Sequence, residues 1–114
     1  MIPSTWRPYR RGSDDELVGY LDGDDPSVTP RTLFGYPLAS AGPAAAAVRL
    51  LEKRGLVCLA ERWSLRLDST EQVDVMIMAA FPDWIEVVET EYGSYGPDSP
   101  RHRLSVPTGD RLTR

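Results

Sequence analysis

The single histidine, His102, stands between Arg101 and Arg103. Two flanking guanidiniums make the tripeptide a candidate site for an anionic ligand. General-base work would require a nucleophile and an orienting partner, and no G-x-S-x-G nucleophile motif is present. With one His and one Cys, a zinc site of three or four His/Cys ligands cannot be built within one chain. The acidic run Asp22-Gly23-Asp24-Asp25 suggests calcium. An EF-hand loop, however, needs an oxygen ligand where Pro26 stands and a glycine where Ser27 stands. An acidic turn closing a helix accounts for the same residues. Cys58, between Val57 and Leu59, suits a small buried residue better than an activated thiolate. No metal and no cofactor are expected.

Aromatic and basic residues offer recognition rather than catalysis. Trp6-Arg7-Pro8-Tyr9-Arg10-Arg11 combines groups that stack with groups that bind phosphates, and Pro8, with Pro3 before it, disfavours helix. It is a candidate recognition arm, or else an extended segment folding Trp6 and Tyr9 back onto a sheet. Tyr92 and Tyr95, in the Gly- and Ser-rich stretch after Glu91, could stack on bases or on a partner surface. With Arg101, His102 and Arg103 these complete the candidate binding set.

Charge is segregated along the chain. Arg7, Arg10 and Arg11 lie at one end and Arg101, Arg103, Arg111 and Arg114 at the other, with no Lys or Arg between Arg66 and Arg101. That gap holds Asp68, Glu71, Asp74, Asp83, Glu86, Glu89, Glu91 and Asp98, an acidic middle that could pair with the basic ends. A net charge of -4 argues against whole-surface attraction to nucleic acid or anionic lipid. The longest apolar stretch, around Pro43 to Val48, is far short of the ~20 residues that cross a bilayer. No secretory n-region and h-region follow Met1, so a cytoplasmic protein is expected.

The elements that position these groups follow from local signals. A chain of 114 residues with 41% hydrophobic and 26% charged side chains suits one globular domain over 1–114, with 1–12 and 108–114 extended or loose. Ser13-Asp14-Asp15-Glu16 has capping-box spacing, and Leu17, Val18 and Leu21 then recur as on a helix that ends near Gly23. A second helix is predicted from a Ser40 cap, through Pro43 in its first turn, to a left-handed Gly55; its buried stripe is Ala44, Ala47, Val48 and Leu51. From Leu56 to Leu67 the period becomes two, with a break near Glu61. Val73 to Phe81 and Trp84 to Tyr92 read as further strands and His102 to Val106 as an edge strand. The fold class expected is α+β: two short N-terminal helices, then an antiparallel meander of three to four strands that could form a small open barrel. Val48, Leu51, Trp63, Leu65, Val75, Ile77 and Val87 are expected to share one core.

Leu50 to Leu56 followed by a hairpin resembles the last helix and wing of winged-helix regulators, although no basic recognition helix precedes it. The strand pattern from Trp63 to Val88 is similar to the meander of SH3-like and Sm-like barrels. Neither carries a specific motif, and no family is assigned. The leading expectation is a non-enzymatic protein-interaction module that binds a protein partner or self-associates. A nucleic-acid-binding barrel is the first alternative. A small-ligand or enzymatic domain with His102, Tyr92 and Glu89 lining a pocket is the second.

Overall fold

The segment expected to start the first helix forms the turn of a β-hairpin. In the computed structural model, which describes residues 1–114, β1 (Arg7–Arg10) pairs antiparallel with β2 (Leu17–Asp22). Asp14 pairs with Arg11 at 2.7 Å and accepts the Glu16 N–H, while Asp15 adopts a φ of 57°, a left-handed conformation that Asp tolerates. The carboxylates that suit a capping box therefore serve a turn. β2 is the middle strand of a three-stranded sheet completed by β3 (Thr29–Arg31), and Val18, Tyr20 and Leu21 are all buried. A strand buried on both faces loses its two-residue alternation, which is why Leu17, Val18 and Leu21 imitate a helical stripe.

The other expected helix is α1 (Ala44–Arg54), the only α-helix. The two-helix α+β arrangement is thus corrected to a mainly β chain with two antiparallel sheets. Ala47 and Leu51 are buried with Val18, Leu21 and Val28, and Ala44 and Val48 pack at the margin. Both helix ends differ from expectation. Pro43 occupies the N-cap position, and the Ala44 N–H donates to Asp25 Oδ1 at 2.7 Å, so the acidic loop, rather than Ser40, satisfies an orphan donor of the first turn. Gly55 keeps right-handed angles, φ -56° and ψ -43°. Glycine suits this position because a Cβ would collide with the carbonyl oxygens of Val18 and Leu51.

The alternation after Gly55 is not all strand. Val57–Ala60 forms a 3₁₀ turn, and β4 (Arg62–Arg66) begins beyond Glu61. β5 (Gln72–Ala80), β6 (Trp84–Glu89) and β7 (Arg101–Ser105) complete an antiparallel meander, while β8 (Leu112–Thr113) joins the far side of β4. The order β7-β6-β5-β4-β8 is an open sheet with two edges. The chain ends are engaged: residues 7–10 form β1, Leu112 is fully buried, and Arg114 pairs with Glu61 at 3.1 Å. At the β4–β5 turn, Asp68 Oδ1 accepts the Thr70 and Glu71 N–H groups at 2.8 and 2.9 Å.

The inner face of this sheet buries Trp63, Leu65, Val75, Ile85, Val87 and Leu104 against Phe34, Cys58, Val106 and Leu112. Gly35, at φ +88°, makes the turn that delivers Phe34 and Tyr36 edge-on to Trp63, with ring centroids 5.0 and 4.9 Å away. The expected single core is therefore two clusters. Leu51 and Val48 belong to the helix side, and Trp63, Leu65, Val75, Val87 and the half-buried Ile77 to the five-stranded sheet.

Candidate functional site

Alternation along β4 puts Trp63 and Leu65 in the core, so Arg62, Ser64 and Arg66 face outward. Strand register extends this outer face through Met76 and Asp74 on β5, Val88, Glu86 and Trp84 on β6, and Arg101, Arg103 and Ser105 on β7. Four arginines thus stand there against two carboxylates, on a chain whose total charge is -4. Arg101 is paired with Glu86 at 3.2 Å and Arg66 with Asp110 at 2.9 Å. Arg62 and Arg103 have no carboxylate partner.

Near the β5–β6 turn this face becomes aromatic. The Arg103 guanidinium lies 3.8 Å from the Trp84 ring centroid, and Phe81 stacks on Trp84 at 4.3 Å with 28° between planes. Phe81 is 46% exposed and Met78 37%, unusually open for such side chains at neighbouring positions. A register shift between Ile77 and Ala79 explains the orientation. One extra residue on β5 reverses the alternation, so Phe81, which strict alternation from Val73 and Val75 would put on the inner face, emerges on the outer face. Beside it, Leu17, Tyr20, Leu33, Ala80, Phe81, Pro82 and Glu16 line a crevice of about 180 Å³ between the two sheets.

The expected binding residues do not form one patch. Trp6 lies under Arg31, whose guanidinium is 4.4 Å from its ring, and 6.3 Å from Tyr20. Arg7 donates to the Gly23 carbonyl, Arg10 to the Asp15 carbonyl, and Arg11 to Asp14. The Tyr9 hydroxyl donates to Glu52 of α1 at 2.5 Å, and that bond pushes the Tyr9 pKa up. The N-terminal arginines are thus engaged within their own hairpin and its surroundings. Tyr92 is 92% exposed at a φ of 53°, and Tyr95 is 48% exposed. Of the expected set, only Arg101 and Arg103 belong to the outer face of the five-stranded sheet. Phe81, Trp84, Met76, Met78 and Arg62 were not singled out from the sequence; two aromatics flanking the Pro82-Asp83 turn were the available signal.

The catalytic alternatives are also placed. His102 Nε2 lies 2.8 Å from Glu89 Oε2, a pair without a nucleophile. Glu89 and Tyr92 line an open cleft of about 650 Å³ along the 89–100 loop; His102 does not line it. No three His, Cys, Asp or Glu side chains are grouped to hold a metal ion, and no helix is long and apolar enough to cross a membrane. Cys58 is fully buried and donates to the Gly55 carbonyl at 3.0 Å. Burial, reinforced by Glu61, pushes its thiol up to about 11. Comparison with protein-family models, curated proteins and solved structures gives no match. The chain's own chemistry therefore carries the functional reading.

Proposed function

We propose that this chain is a non-enzymatic protein-interaction module whose partner docks on the outer face of the five-stranded sheet, centred on Trp84. The supporting observation is the Arg103–Trp84–Phe81 stack, in which Arg103 and Phe81 are exposed and Trp84 is half-buried. Tryptophan and arginine are enriched among residues that dominate binding energy, and side chains already stacked lose little conformational freedom on docking. Met76 and Met78 add adaptable apolar surface, and the guanidiniums of Arg62 and Arg103 supply a polar rim. The cytoplasmic setting expected from the sequence is part of this reading.

A photo-reactive phenylalanine analogue at Phe81, with the same group at exposed Val57 as control, tests it in extract of the cells that make the protein. A discrete adduct at 81, absent at 57 and lost with Trp84→Ala, is expected. Equal labelling from both positions would remove the support. The arginine excess beside stacked aromatics also suits single-stranded nucleic acid. Micromolar or tighter anisotropy binding to short RNA or DNA, falling with salt and lost in Arg62→Ala/Arg103→Ala, would replace the protein reading.

A further inference from the structure

We propose that the free edge of β7 accepts an added β-strand: an extended partner segment with alternating acidic and apolar residues. This deepens the interaction reading above and rests on it. The Glu89 N–H donates to the Pro100 carbonyl at 2.9 Å, and the Val106 N–H to the Asp83 carbonyl at 3.0 Å. Hydrogen-bonded pairs alternate in an antiparallel ladder. Along β7, then, Pro100, His102, Leu104 and Val106 face β6, while the main-chain groups of Arg101, Arg103 and Ser105 face away. β7 is an edge, no loop bonds to these three residues, and all three are exposed. Unpaired strand edges are templates for another strand.

The other edges are less able to accept one. β1 contains Pro8 and a register shift at Tyr9/Arg10, β3 has three residues including Pro30, and β8 has two. β7 has neither proline nor shift between its ends.

Charge selects the occupant. A second copy pairing antiparallel about Arg103 would bring both copies' Arg101 and Arg103 onto one face, and like charges directly opposite are unfavourable. Carboxylates at alternate positions of an incoming strand would instead meet Arg101 and Arg103. The residues between them would lie beside His102 and the buried Leu104, where apolar side chains fit. In the antiparallel orientation of every pair in this sheet, the acidic residues are the ones whose N–H and C=O groups bond to β7.

The probe is a labelled ten-residue peptide of alternating Glu and Val, titrated against the full chain by fluorescence anisotropy. N-methylation of its Glu amides should weaken binding about ten-fold or more, because several ladder bonds are lost together. N-methylation of its Val amides should leave affinity within about two-fold, since those groups face solvent. Replacing Glu by Lys, or introducing Arg101→Glu/Arg103→Glu with an unchanged circular dichroism spectrum, should abolish binding. No binding of the parent peptide, or binding indifferent to methylation of the Glu amides, overturns the strand-addition inference. In that case a Phe81 adduct lost with Trp84→Ala would still uphold face docking, so the two readings fail separately. A peptide-independent dimer in sedimentation, broken by Arg103→Pro, would identify a second copy as the occupant and also overturn it.

Discussion

Cys58 shows how one side chain's environment decides its chemistry. The free thiol, near 9.0, is held by burial at about 11, so the folded protein keeps a proton that the unfolded chain gives up. The resulting stabilisation is complete below about 9 and is lost as pH rises through about 11, on the order of 2 kcal/mol in all. Tyr20, raised chiefly by burial, acts in the same direction. Stability measured by urea unfolding should therefore fall between these pH values, and fall less in Cys58→Ser, whose hydroxyl can still donate to Gly55. Iodoacetamide should modify Cys58 only after denaturation. A thiol that reacts equally fast in the native protein would contradict the assignment. The inert cysteine was legible from Val57 and Leu59. Phe81 was not, because its side is set by a one-residue shift in β5 that local periodicity does not announce; the outward side of Trp84 follows from alternation with Ile85 and Val87 on β6.

Among the elements, α1 was legible because amphipathic spacing and flanking Pro43 and Gly55 agree, and the β4–β7 meander because short polar turns separate alternating strands. The first hairpin was misread for two reasons. Ser13 to Glu16 satisfies a capping box and a turn equally well, and β2 is buried on both faces, so its pattern matches a short helix too. Asp25 was read as one residue of an acidic turn, whereas its bond to Ala44 N–H ties the loop after β2 to the start of α1. Asp25→Ala should cost about 1 kcal/mol, as loss of a capping oxygen does, while Asp25→Asn should retain most of it. Urea midpoints checked by helical circular dichroism decide this, and an unchanged midpoint in Asp25→Ala contradicts the cap.

At the scale of the molecule, charge segregation along the chain was legible but its resolution in space was not. Among the C-terminal arginines, Arg101 meets Glu86 of β6, Arg114 meets Glu61 and Arg103 lies over Trp84, whereas Arg7, Arg10 and Arg11 are answered by nearby residues of their own hairpin and the loop after it. The expectation of one shared core met a similar limit, since facing of distant clusters is not encoded in local periodicity. Segments that adjoin the helix-side cluster along the chain are nevertheless anchored in the sheet-side cluster. The Thr108 N–H donates to Phe34 O at 3.1 Å, and the Trp63 indole donates to Cys58 O at 2.9 Å, just beyond α1. Gly35 lies against Pro107 and Trp6, and the amino terminus reaches the Val106 carbonyl. Breaking one cluster would leave Phe34 and Cys58 without their anchoring segments, so both clusters should unfold in one transition. Leu51→Ala, made in the helix cluster where Leu51 is fully buried, should cost about 2 to 5 kcal/mol. With Trp6 and Trp84 changed to Phe, Trp63 alone reports on the other cluster, and the variant should shift tryptophan fluorescence and far-ultraviolet circular dichroism midpoints equally. A fluorescence midpoint that stays in place while the helical signal melts earlier would show two independent units, and the single cooperative fold would be refuted.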